Sequence, residues 1–144
     1  MQLKGYRRPD GRVGFRNHVL VLPTVSCSNS VTQRISSAVP GTITLPIDSG
    51  CGLLDQDITL FSSTVVNLAG NPNVGAILVV GLGREVLTAE QAASRIEKFG
   101  KPVCCLSIQK TGGTYRTIEE GIKLAQQLVK EASSFKREPA SVSD

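Results

Sequence analysis

The chain has 144 residues, 40% of them hydrophobic and 19% charged, with a formal net charge of +4. That is enough for one domain with a sizeable core, and the composition excludes a disordered or fibrous class. No run of 18 apolar residues is present to span a membrane, and with 4% aromatics only Tyr6 and Phe15 interleave with the basic N-terminal residues, so no nucleic-acid partner is expected. The N-terminus is polar and carries no signal-peptide core. Four cysteines without such a signal point to free thiols in a reducing cytoplasm.

Residues 1–16 read as an N-terminal arm or short hairpin, because Pro9-Asp10-Gly11 is a strong turn signal. His18 to Leu22 is a mostly apolar run, as a strand buried on both faces would be. Asn29 to Ala38 predicts a helix that stops at Pro40-Gly41, and Thr42 to Ile47 a second strand. In the helix expected over Asp55 to Ala69, Ile58, Phe61, Val65 and Leu68 share one face. Asn71-Pro72-Asn73 stops it, and Val74 to Val80 is a third strand. Thr88 to Phe99 predicts a helix opened by a capping box, Thr88 with Gln91, and closed by Gly100. Pro102 to Ile108 is a fourth strand. The last helix runs from Thr114 to about Ser133, with Ile118, Ile122, Ala125, Val129 and Ala132 inward. Residues 135–144 carry no structural signal and read as a linker toward a further domain.

The alternation of strand and helix predicts a single α/β domain over residues 17–134. Its core is a doubly wound parallel sheet of about four strands with helices on both faces, flavodoxin/Rossmann-like in order 2-1-3-4. Four strand-to-helix turns then collect on the carboxyl edge, where open α/β sheets bind ligands. They are Thr24 to Ser30, Asp48 to Gly52, Gly81 to Glu85 and Gln109 to Thr114.

Those turns hold the candidate chemistry. Cys27 and Cys51 follow neighbouring strands, so their thiols either share a metal or are small apolar turn residues; two thiolates alone fall short of a full ligand set. Cys104 and Cys105, mid-strand, read as buried hydrophobes. Gly81-Leu82-Gly83 and Gly112-Gly113-Thr114 resemble anion cradles at helix starts, although neither matches a dinucleotide fingerprint or a P-loop, so no nucleotide cofactor is expected. Thr114 alternatively serves as an N-cap. Asp48 and Glu85 are candidate general bases or metal ligands, or else charges that complement helix dipoles. His18, the single histidine, opens a strand and reads as an edge residue.

Literal strings go further. Gly5-Tyr6-x-Arg8-Pro9-Asp10-Gly11-Arg12-Val13-Gly14-x-Arg16-Asn17 and Leu22-Pro23-Thr24-Val25-x-Cys27-x-Asn29 resemble the start of the large catalytic part of the altronate/galactarate dehydratase family. Gly50-Cys51-Gly52, Asn71 to Gly75, Val79 to Gly83 with Glu85, and Gly112 to Thr114 continue the resemblance in order; sulfolactate sulfo-lyase large subunits are similar too. The resemblance implies a carbon–oxygen lyase that removes water from a sugar acid or related carboxylate with a divalent metal, iron, assisting. It places Cys27 and Cys51 at the metal, Glu85 in catalysis, and Asn29, Gly112, Gly113 and Thr114 along the substrate, while Asp48, as a catalytic carboxylate or oxygen ligand, and Arg84, as a substrate-binding cation, are read from their own chemistry. Arg8, Arg12 and Arg16 are suited to holding substrate carboxylates bidentately.

Two positions depart from the family's pattern. Asp48 stands where a histidine is expected, and Arg84 where a further cysteine often follows the Gly-Leu-Gly turn. The resemblance also implies other domains or subunits as partners and a homo-oligomer, with little activity in this domain alone. The alternative is a non-catalytic anion-binding or scaffold domain that docks subunits, which Asp48 and Arg84 favour. An FMN binder of flavodoxin type and a zinc hydrolase are weaker options.

Overall fold

A computed structural model describes residues 3–141 and 143. Three antiparallel strands form one small sheet: β1 (Leu3–Arg7), β2 (Val13–Gly14) and, from the far end of the chain, β7 (Glu138–Ala140), in order β2-β1-β7. The main sheet contains β3 (His18–Pro23), β4 (Thr42–Thr44), β5 (Val74–Gly81) and β6 (Val103–Ser107), all parallel, in order β4-β3-β5-β6. That is the expected order 2-1-3-4.

The two central strands explain the fold's layers. Val19 and Val21 of β3, with Ala76, Leu78 and Val80 of β5, turn to one face. Leu20, Leu22, Ile77 and Val79 turn to the other. Strands apolar on both faces need cover on both. Helices α1 (Asn29–Ala38) and α5 (Thr114–Ser133) supply it on the first face, α2 (Asp55–Ala69) and α3 (Ala89–Ile96) on the second. Thr88 caps α3 in the expected box with Gln91, each side chain bonding the other's backbone N–H at 3.1–3.2 Å. A short helix, α4 (Ile108–Thr111), leads into α5.

The structure differs from the sequence reading at several places: part of the turn at residues 109–114 is helical, and Cys104 and Cys105 are half-buried instead of buried. Strand β4 stops at Thr44, three residues early, beside Pro46, which has no N–H to give a ladder. The buried line of α5 is Thr117, Gly121, Ala125, Leu128 and Ala132, with Ile118, Ile122 and Val129 only half-buried beside it. Its small residues let the helix close on α1, where Gly121 lies against Ile35. Glu138–Ala140, read as structureless linker, pairs with β1, and the Arg7 guanidinium meets Glu138 there.

The small sheet sits on the amino edge of the main one. Phe15 and Arg16 donate backbone N–H groups to the Asn73 side chain, at 2.9 and 3.0 Å. Lys101, just before β6, is buried and caps the end of α2, donating to the Ala69 and Asn71 carbonyls at 2.8 and 2.7 Å. Burial, and then the neighbouring Arg8 charge, push its pKa from 10.5 down to about 8.

A folded-state pKa below the unfolded one means the charged amine opposes folding. That cost is fully present below about pH 8 and fades as the folded chain releases the proton first. Stability of the wild type relative to Lys101→Met therefore rises between about pH 8 and 10.5, by up to about 3 kcal/mol. Urea unfolding across that range checks it; a flat difference overturns it.

Candidate functional site

The four strand-to-helix loops meet on the carboxyl edge of the main sheet, and they are stitched to one another. Ser26 donates its N–H to the Ser49 carbonyl at 2.8 Å. The Asn29 amide brackets Ile47, donating to its carbonyl at 2.8 Å and accepting from its N–H at 3.2 Å. Val86 N–H reaches the Gly50 carbonyl at 3.1 Å, and Gln109 N–H reaches Leu82 at 3.0 Å. Every loop is thereby tied to at least one other, and loop backbone that ladders leave unpaired finds partners.

Glu85 is the central tie. It is 6% exposed. Its Oε1 accepts from the Thr24 hydroxyl and from Leu82 N–H, both at 3.0 Å, and its Oε2 from Gly83 N–H at 2.5 Å. The Gly81-Leu82-Gly83 turn is thus an anion nest, as its glycines suggest, but the anion it holds is the chain's own carboxylate. These contacts leave neither Glu85 oxygen without a partner. Asn29 likewise has both ends of its amide engaged.

What the stitched loops present outward is different. Cys27, Cys51, Asp48 and Arg84 are exposed. Among the described residues no hydrogen bond or ion pair engages Asp48 or Arg84. The two thiols lie near each other on adjacent loops. The Cys51 thiol is pushed up first by loss of water and then by the Cys27 thiol, through charge and a hydrogen bond, and by Glu85. The Gly112–Thr114 turn is at the same edge. Gly113, not Thr114, occupies the N-cap of α5, and no side chain caps it. The helix's 20 residues stand behind first-turn N–H groups that an anion would suit.

A metal needs more than the pair of thiols. Among the described residues no group of three or more His, Cys, Asp or Glu side chains gathers to hold an ion. Two thiolates are half a tetrahedral set, Glu85 is already engaged, and Asp48 stands apart. The donors among the described residues do not complete a metal centre.

Three arginines from the N-terminal motif lie elsewhere. Arg8 is buried on the amino edge, donating to the Pro72 carbonyl at 2.7 Å and the Arg16 carbonyl at 3.1 Å. Arg12 pairs with Asp10 and donates to the Gly70 carbonyl at 2.7 Å. Arg16 is exposed beside them. None of the three shares the loop cluster with Cys27 and Cys51, so a single substrate-binding set drawn from both motifs does not form within this chain. Conversely, the sequence reading does not single out Thr24 or Ser28. Both are fully buried, and Ser28 Oγ donates to Val25 and Val80 carbonyls at 2.8 and 2.9 Å. A hydroxyl directly after an apolar strand is the signal that marks Thr24.

Residues 5–133 match the family described as D-galactarate dehydratase/altronate hydrolase, second domain. The chain belongs to that family. It is 36% identical over its full length to the (2R)-sulfolactate sulfo-lyase subunit beta of Chromohalobacter salexigens, of which it covers 38%. It is 31% identical to the altronate dehydratase of Escherichia coli, over 96% of this chain and 30% of that protein. With the altronate dehydratase of Bacillus subtilis it shares 27% identity, over 98% of this chain and 30% of that protein. The chain thus spans about a third of the length of the curated relatives it matches. No solved structure matches it significantly. These relatives are dehydratases and lyases in which the matched domain is one part of a larger enzyme. The family's second domain is therefore, in this chain, a parallel sheet whose carboxyl-edge loops are locked together. No helix in the described residues is long and apolar enough to cross a membrane.

Proposed function

We propose that this chain is one wall of the active site of a metal-assisted sugar-acid dehydratase, a lyase that eliminates water from a hydroxy acid. Other domains or subunits of the enzyme complete that site. The observation that carries the reading is the stitched loop cluster, which leaves Cys27, Cys51, Asp48 and Arg84 exposed on the sheet's carboxyl edge in a family of dehydratases and lyases. Elimination needs a base for the proton next to the carboxylate and a hold on the carboxylate itself. Asp48, exposed and without a hydrogen-bond partner, is the carboxylate of the cluster able to accept a proton. Arg84 and the open start of α5 supply positive potential for a substrate carboxylate. Glu85 serves by keeping the loops in register. Cys27 and Cys51 contribute two soft donors to a divalent metal, iron, whose remaining donors come from outside this chain; the ion would supply Lewis-acid assistance to the leaving hydroxyl.

The expected result for the isolated 144-residue chain, with ferrous iron and reductant, is no measurable turnover of altronate, galactarate or sulfolactate, and turnover overturns the incomplete-wall reading. Anaerobic titration with ferrous iron adds a second readout: weak binding that disappears in Cys27→Ser and in Cys51→Ser. The alternative of a docking or anion-binding scaffold is favoured by one observation, the use of Glu85, Asn29 and Thr24 for loop stitching. Iron binding that is absent, or indifferent to both cysteines, supports it.

A further inference from the structure

On the amino edge, opposite the loop cluster, a cavity of about 420 Å³ is lined by Arg7, Arg8, Pro9, Lys101, Pro102 and Phe135 among others. Two of its walls are buried cations: Arg8 is 5% exposed and Lys101 6%. Buried charges are ordinarily paired with an opposite charge. These two are not. Asp10 pairs with Arg12, and Glu138 with Arg7. The hydrogen-bond partners of Arg8 and Lys101 among the described residues are backbone carbonyls, Pro72 and Arg16 for the one, Ala69 and Asn71 for the other, and the Arg8 guanidinium also lies 5.5 Å from the centre of the Tyr6 ring. An ammonium has three N–H donors and a guanidinium five, so both keep donors in reserve. The remaining wall, Pro9, Pro102 and Phe135, is apolar.

We propose that this cavity is a binding site for a small molecule with an oxyanion head, carboxylate or phosphate. The head sits between Arg8 and Lys101, and the body lies against Pro9, Pro102 and Phe135. An anion there would neutralise two like charges that now repel each other, and charge-assisted bonds from Arg and Lys are the strong ones. The repulsion is visible at Lys101, where Arg8 and Arg12 act against protonation and Asp10 for it. Among the described residues the charged groups around the cavity include Arg7, Arg8, Arg12, Lys101, Asp10, Glu138 and Arg137, the last sharing the Tyr6 ring with Arg8. The proposal stands apart from the dehydratase reading, since none of its residues lies in the carboxyl-edge loops.

The test is an NMR titration of the wild-type chain at constant ionic strength with inorganic phosphate, with benzoate, and with chloride as reference. Phosphate probes the head alone and benzoate the head with an apolar flank. The expected result is saturable movement of the Gly75, Gly100 and Lys101 amides with both oxyanions, tighter for benzoate. The Lys101 amine pKa should rise by about one unit on binding, a tenfold linkage. Lys101→Met should lose the response. Saturable movement with phosphate but not benzoate limits the site to the bare head and overturns the apolar wall. Amides that stay still, or that move equally with chloride, overturn the site. The wild-type readout holds even if Lys101→Met fails to fold.

Discussion

Glu85→Ala should destabilise the chain by about 4 kcal/mol, the largest loss expected from any single carboxylate here. The side chain is buried and its two oxygens take three donors: the Thr24 hydroxyl, Leu82 N–H and Gly83 N–H. Alanine leaves all three donors without that acceptor. Gly81 packs directly against Oε1, so the backbone there is shaped around the carboxylate. Glu85→Gln separates charge from shape. Its oxygen can keep the Thr24 and Leu82 bonds, but its amide nitrogen would face Gly83 N–H, donor against donor. The expected loss is about 2 kcal/mol. Urea unfolding followed by circular dichroism measures both, with the denaturant slope unchanged. An alanine variant within about 1 kcal/mol of wild type would mean that the carboxylate does not hold the loops, and would return Glu85 to the list of groups available for proton transfer.

Where the determinants are local, the sequence can be read almost to the residue. Asn29–Ala38, Asp55–Ala69 and Thr114–Ser133 are helices at the expected bounds, because each is closed by Pro, Gly, Asn or Ser punctuation next to it in the chain. The order of the parallel strands follows from short right-handed crossovers. The collection of four turns on one edge is a consequence of that order. Reading fails where the deciding neighbour is far away. The face of α5 is set by Ile35 against Gly121, and the last strand exists because β1 offers it an edge.

The candidate site divides the same way. Cys27 and Cys51 meet because strands β3 and β4 are adjacent, which topology predicts. Glu85 looks like a free acid in the sequence and is a tie in the fold, since its partners come from Thr24, 61 residues earlier, as well as from its own turn. The N-terminal arginines show the limit of a motif most plainly. A string can be specific enough to indicate a family and still say nothing of where its residues sit. Here Arg8 and Arg12 clamp carbonyls at the sheet's amino edge.

Gly50→Ala should cost about 3 kcal/mol and should express much of that cost at Cys51. Gly50 is buried with φ at +116°, a conformation that L side chains rarely adopt. An added Cβ would stand 2.6 Å from the Thr24 carbonyl and 2.7 Å from Val25 Cα, both backbone atoms that cannot swing aside. Gly50 also accepts the Val86 N–H, so the second and third loops must move together or part. Gly52, two residues on, makes the control. Its φ is +66°, but nothing lies within 4 Å of its would-be Cβ. Gly52→Ala therefore pays only for conformation, about 1 kcal/mol. Thermal or urea unfolding ranks the pair. The pH profile of Cys51 alkylation, read in a Cys104/Cys105 double serine background, reports the loop. In wild type and Gly52→Ala the Cys51 thiol stays raised, by loss of water first and then by Cys27 and Glu85, whereas in Gly50→Ala it should fall toward the ordinary cysteine range as the displaced loop takes up water and its neighbours recede. Equal stability loss in the two variants, or an unchanged Cys51 profile in Gly50→Ala, would show that the close approach of Gly50 to Thr24 does not set the loop cluster.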